Sequence, residues 1–229
     1  MTARGAAFLE ALGEEAERLH PEILAQMRVH ADPGRPDLDS ADGVFTVAGS
    51  RFGRLSVLAR PVVGPGLLVT RLARCVPFRI ETASARTSSG RAVLATVREF
   101  RFPGATQYVR DRLFATGHPG LVQNALGDRG RVEMLEHCSV TSDGALRMRT
   151  RAVRLRFGRL LIPLRGPLRV DVDLVDGWDE VHGRRTIDMQ AVSPLVGTVL
   201  EYRGWYRYAP GNGHAVTDGD GVAGSDQER

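Results

Sequence analysis

Glu136, His137 and Cys138 form the densest run of reactive side chains in the chain. On a strand, successive residues point to opposite faces, so His137 turns away from the other two and no local triad can form. Glu136 and Cys138 instead share a face with Val132 and Met134. A carboxyl on such an apolar face loses solvation of its charged form, ionises at a raised pH and can serve as an acid or base. The bland alternative is a rim carboxylate paired with an arginine. The second group lies in the last strand-like stretch, where Leu200, Tyr202, Tyr206 and Tyr208 share one face and Glu201, Arg203, Trp205 and Arg207 the other. Tyrosines turned into a barrel would make an apolar wall with hydroxyl handles, suited to an oxygenated hydrophobic ligand. Turned outward, they would leave Trp205 to cap the core and the charged residues to pair across strands. The candidate site residues are Glu136 and Tyr202 for catalysis, and Tyr202, Tyr206, Met148 and Met134 for ligand contact.

Much other chemistry is excluded. All 31 cationic side chains are arginine, so there is no lysine for a Schiff base, a phosphate loop or a general base. His20, His30, His118, His137, His182 and His214 never fall at i,i+4 or HxH spacing, and no metal site is expected. Cys75 and Cys138 lack ligand spacing and read as buried thiols. No G-x-S-x-G elbow occurs. No cofactor is expected. Net charge is only +4, with the densest cations at Arg147, Arg149, Arg151, Arg154, Arg156 and Arg159. These read as cross-strand partners of Asp171 and Asp173 rather than a phosphate-binding face, so nucleic acid is not an expected partner.

The elements that must position these residues follow from hydrophobic period. Phe8, Leu12, Ala16, Leu19, Ile23 and Met27 recur at helical spacing over residues 5–29, with Pro21 dividing two short helices. Residues 31–43 read as a polar loop. The period then falls to two, predicting strands over 44–48, 55–62, 78–85 and 92–102. Residues 67–76 fit a short helix or a buried strand, and 105–116 fit a short helix through Val109 and Leu113. A meander follows over 131–141, 145–157, 168–175, 184–192 and 198–208. Asp143-Gly144 is its strongest hairpin turn and Asp176-Gly177 a second candidate. Within 145–157 the alternation slips phase at Val153 and Leu155, the mark of a bulge that curves a sheet toward closure.

These readings predict a mainly β protein, a strongly curved antiparallel sheet or barrel with N-terminal helices at one end. Residues 1–208 form a single β-rich domain and 209–229, rich in Gly and Asp, a disordered tail. No run approaches the roughly 18 apolar residues of a membrane span. Glu10, Glu14, Glu15 and Glu17 argue against a targeting peptide, so a cytoplasmic protein is expected.

Leu19-His20-Pro21 after the amphipathic helix, Asp143-Gly144-Ala145-Leu146, Gly158 with Leu161-Ile162-Pro163-Leu164, and the segment from Ser193-Pro194-Leu195-Val196-Gly197 through Glu201-Tyr202-Arg203-Gly204-Trp205 occur in this order. Together they resemble a bacterial family, domain of unknown function 4166, over residues 8–208. The resemblance carries over no catalytic residues. Such domains also occur fused behind saccharopine-dehydrogenase-like regions, which implies a dehydrogenase-like protein partner for a chain that has no GxGxxG of its own.

Three functions are consistent with these residues. The first is binding of a hydrophobic small molecule, lipid-like, terpenoid or polyketide, in a barrel pocket. The second is a cofactor-independent cyclase or isomerase of natural-product biosynthesis. The third is an accessory partner of a dehydrogenase-like protein.

Overall fold

A computed structural model describes residues 3–29, 39–53 and 60–208. The N-terminal segment folds as α1 (Ala6–Leu12), a 3₁₀ stretch over Gly13–Arg18, and α2 (Pro21–Arg28). Pro21 opens α2, where its missing N–H costs nothing, and the His20 ring accepts the Glu22 amide at 3.3 Å as the cap. The division at His20-Pro21 is therefore as its sequence predicts.

Strands follow as β1 (Asp39–Gly49), β2 (Leu72–Arg86), β3 (Ala92–Phe102), β4 (Ala105–Ala115), β5 (Leu121–Leu126), β6 (Val132–Val140), β7 (Leu146–Phe157), β8 (Leu160–Leu164), β9 (Asp171–Asp179), β10 (Arg184–Ser193) and β11 (Gly197–Tyr208), with a one-turn α3 (Arg60–Val63) before β2. Every pairing is antiparallel between chain neighbours except two: β11 closes onto β1, and β7 pairs with β9 past β8. The result is a closed ten-stranded barrel. β7 divides its second edge, bonding β9 over Leu146–Arg149 and β8 over Val153–Phe157. β8 thus projects as a hairpin outside the ring.

Three bulges bend the wall, one of them at Val199, since Ala191 pairs with Leu200 and Val192 with Thr198. Another puts Thr46 out of register opposite Gly204 and Arg203. The third falls at Arg151, since Leu135 pairs with Ala152 and Glu136 with Thr150; it accounts for the phase slip at Val153. At Gly204 a side chain would meet the Val44 carbonyl at 2.2 Å, so β1 and β11 can approach only because that residue is glycine.

The helices close one end. Ala7, Ala11, Leu12, Ile23 and Met27 pack on Ala92, Leu113, Val122, Cys138, Val140 and Leu146. The Asp143-Gly144 turn docks against them, the His20 amide donating to the Gly144 carbonyl at 2.8 Å, while the His20 ring stacks on Trp178 at 5.6 Å and meets Glu180 at 2.6 Å. Two motifs that carry the family resemblance therefore meet at this junction. The opposite end carries the β3–β4 turn, the start of β2, the end of β7 and the β10–β11 turn.

Several expectations are corrected. Residues 105–116 are strand, not helix, because the apolar pair Val109 and Leu113 belongs to an inward row of period two interrupted by Asp111. The loop expected over 31–43 gives way to β1 from Asp39; its first part, 31–38, lies outside the described residues. Of the strand expected over 55–62, residues 55–59 lie outside the described residues and Arg60–Val63 is a helical turn. Asp176-Gly177 is no turn: both sit inside β9, where the Asp176 side chain is held by Arg185. Cys75 is exposed and has a φ of 53°, whereas Cys138 is buried as expected. The tail from 209 lies outside the described residues.

Candidate functional site

Alternation along each strand decides which side chains enter the barrel. On β3 the inward row is Ala92, Leu94, Thr96, Arg98, Phe100 and Phe102; on β4 it is Val109, Asp111, Leu113 and Ala115. β5 contributes Val122 and Asn124, and β6 contributes Val132, Met134, Glu136, Cys138 and Val140. Each of these four adjacent strands carries polar residues near mid-height: Thr96 and Arg98, Asp111, Asn124, and Glu136. Tyr202 projects inward from β11 and is coupled electrostatically to Arg98, Asp111 and Glu136. Apolar rows lie above and below this belt.

The belt's electrostatics follow from burial. Desolvation alone would drive protons off Arg98, but Asp111 pairs directly with its guanidinium, so the cation is held firmly protonated. Glu136 is 2% exposed. Burial raises its carboxyl to about 7, against the opposing pull of an amide hydrogen bond from Asn124 Nδ2 at 3.1 Å, with Asp111 adding to the rise and Arg98 opposing it. Burial also pushes the Cys138 thiol up to about 12, which makes it inert as a nucleophile near neutrality.

Two atoms in the belt lack partners. Arg98 Nε, a donor, and Asn124 Oδ1, an acceptor, are buried with no hydrogen bond among the described residues. The Tyr202 hydroxyl has no protein partner there either, although its ring packs on Phe45 at 5.0 Å and Phe100 at 5.9 Å. Buried polar groups are nearly always satisfied, and an orphan costs about 1–3 kcal/mol. The Arg98 side chain nevertheless retains 19% exposure although it points inward from mid-strand. Part of the Arg98 side chain therefore borders open space, although its Nε is covered.

The end opposite the helices is indented. A cleft of about 640 Å³ is bordered there by Arg71, Leu72, Phe102, Pro103 and Gln107. Phe102 stacks on Phe100 at 6.1 Å, and Phe100 packs against Phe45 and Tyr202. On β3 the next inward residue below Phe100 is Arg98. Packed aromatic rings thus fill the space between the cleft and the polar belt, Phe45 and Phe100 having no exposed surface.

A second interior group lies nearer the helices and is fully satisfied. Arg185 grips Asp176 through two bonds of 3.0 and 2.6 Å, Tyr206 donates to Asp176 at 2.8 Å, and Arg185 also reaches Gln26. Arg4 pairs with Asp39 and lies 4.1 Å over the Tyr208 ring. With every bond used internally, this group fastens the helices to the barrel.

The candidate residues therefore part company. Glu136 and Tyr202 lie in the belt region. Tyr206 also faces inward, but its hydroxyl is committed to Asp176. Met148 packs among the residues beneath the helices and Met134 beside Val132 and Val153, so neither adjoins the tyrosines in one cluster. Trp205 lies on the outer face with the Arg184 guanidinium 4.5 Å over its ring, as the odd spacing from Tyr202 requires. Outside the barrel, Arg147 clasps Asp173 at 2.9 and 2.6 Å and Arg149 approaches the same carboxylate at 3.5 Å, while Asp171 pairs with Arg169. Arg98, Asp111 and Asn124 were not anticipated. Arg98 carried the one legible signal, a cation in phase with Leu94 and Phe100.

Among the described residues no group of three His, Cys, Asp or Glu side chains could hold a metal ion, and no helix is long and apolar enough to cross a membrane. No curated protein and no solved structure matches the chain. The family model for the domain of unknown function DUF4166 matches residues 19–206, from the junction at His20 to the strand that seals the barrel, and the chain belongs to that family.

Proposed function

We propose that the barrel binds a hydrophobic small molecule, lipid-like, terpenoid or polyketide, which enters from the end opposite the helices and places an oxygen in the polar belt. The observation that carries this reading is the orphaned donor and acceptor, Arg98 Nε and Asn124 Oδ1, buried in the interior where the Arg98 side chain keeps 19% of its surface open. A carbonyl oxygen would accept from Arg98 Nε–H, and a hydroxyl would also donate to Asn124 Oδ1. An uncharged oxygen suits the site best. Arg98 and Asp111 already cancel, and a further buried charge would go uncompensated. The cleft falls within the roughly 300–1,000 Å³ of small-molecule sites, and Leu72, Phe102 and Pro103 on its border supply the apolar contact such sites use. The test is native mass spectrometry of protein purified without denaturant, followed by solvent extraction. A retained apolar molecule bearing oxygen is expected; protein at its bare mass, with an empty extract, argues against the reading.

One observation favours a second reading, a cofactor-independent isomerase or cyclase. Glu136 ionises at about 7, so it can both take and return a proton near neutrality. As Glu136 takes the proton it loses its own charge, so an enolate oxygen formed in the belt would add no net charge there. Incubating the extracted molecule with protein in D₂O separates the readings. Deuterium uptake lost in Glu136→Gln supports catalysis, and no uptake leaves binding alone.

A further inference from the structure

The β7–β8 hairpin has no part in the interior site, yet its composition is unusual for a surface. Leu160, Leu161 and Ile162 are exposed on β8, with Phe157 at the end of β7. Leu168 follows in a short 3₁₀ turn and is 65% exposed. The neighbouring β10–β11 turn adds Leu195 and Val196, because the end of β10 pairs with the start of β9, where that 3₁₀ turn leads. These residues all lie at the end of the barrel that carries the cleft. Soluble surfaces rarely gather large aliphatic side chains in this way without a partner.

The charge beside them has one sign. Eight arginines and no carboxylate occur between Asp143 and Asp171. Arg154, Arg159 and Arg165 are exposed and have no ion pair among the described residues. The carboxylates at this end are already engaged, Glu133 by Arg156, Asp171 by Arg169 and Asp128 by Arg110. A second copy of the chain would bring its own arginines against these. Single-stranded nucleic acid would want stacked aromatic platforms, whereas the hairpin offers Phe157 amid aliphatic side chains. Aliphatic side chains with long cationic neighbours are what an interface of acyl chains and anionic headgroups accepts: leucines enter the boundary while guanidinium groups stay among the phosphates.

We propose that the cleft end of the barrel docks onto anionic membrane surfaces through the β7–β8 hairpin, with Leu160, Leu161, Ile162 and Leu168 inserted at the headgroup boundary and Arg154, Arg159 and Arg165 on lipid phosphates. The inference stands on the outer surface and does not depend on what the interior binds.

Flotation of the full chain with vesicles tests it. The protein is expected to float with phosphatidylcholine vesicles containing phosphatidylglycerol, and not with phosphatidylcholine alone. Each arginine near such a surface contributes about 1 kcal/mol, so Arg159→Glu/Arg165→Glu should weaken partition at least about tenfold. Leu160→Ser/Leu168→Ser should weaken it as well. Both pairs are solvent-facing, so circular dichroism spectra should match the parent. Absence of flotation overturns the proposal, as does flotation that ignores both double variants. Tighter binding to a single-stranded RNA oligonucleotide, or self-association in sedimentation velocity that the serine variants abolish, would overturn it too.

Discussion

Replacing Glu136 by Gln should stabilise the protein, and only where the parent carboxyl is ionised. The carboxyl ionises at about 7 in the barrel against an ordinary 4.5, because burial penalises its charge. A group whose proton affinity rises on folding favours the folded state most at low pH. Stability from this source is complete below about pH 4.5, declines as pH rises toward 7, and is flat above. At about 1.4 kcal/mol per pH unit, the loss amounts to about 3 kcal/mol. Glutamine cannot ionise, keeps an oxygen to accept from Asn124 Nδ2, and brings an N–H for the orphaned Asn124 Oδ1. Urea unfolding of both proteins at pH 5 and pH 8 reads the effect. Near-equal midpoints are expected at pH 5, and a midpoint raised by roughly 1–3 M for Glu136→Gln at pH 8, given slopes of about 1–3 kcal/mol per M. Comparing the two proteins at each pH cancels the other titrating groups. A gap that does not grow with pH, or a variant weaker at both, would falsify the account of Glu136 as a desolvated acid.

Tyr202→Phe should leave the melting temperature nearly unchanged, since its hydroxyl has no partner among the described residues. It should weaken retention of a copurifying small molecule by about 0.5–1.5 kcal/mol, read by native mass spectrometry. Trp205→Ala should cost about 1–2 kcal/mol in chemical denaturation, less than the 3–5 kcal/mol of a buried indole, because the ring is only partly buried beneath Arg184. Gly204→Ala should cost at least about 3 kcal/mol or prevent soluble expression, because its methyl group would fall against the Val44 carbonyl; a normal melt would show that β1 and β11 can separate.

The barrel was readable from period, glycine turns and the slip at Val153, and the assignment of the last strand's two faces matches the pairing of Tyr202 with Met189 and Ala48. The polar belt was not. Asp111 breaks the apolar row of β4 and leaves Val109 and Leu113 four apart, which imitates a helix. Asn124 does the same to the short β5. The residues that make the site chemically distinct are therefore those that disguise the strands carrying it. Glu136 was visible because Val132, Met134 and Cys138 flank it in a single strand. Its neighbours Arg98, Asp111 and Asn124 come from three other strands, and no spacing along one chain reports a register between strands.

The seam between β1 and β11 has a consequence for how the protein is made. Gly49 pairs with Glu201 and Ala41 with Tyr208, so the first strand to leave the ribosome waits for the last before its outer edge is covered. Until then the nascent chain is an open, curled sheet with β1 bare on one side and Phe45 without the Tyr202 ring against it. Such distant pairing makes closure slow and the unsealed edge prone to capture by other chains. Synthesis that stops short of Gly197 would release two sticky edges, β1 and β10. Cells making this protein should therefore feel a shortage of chaperones first through its yield.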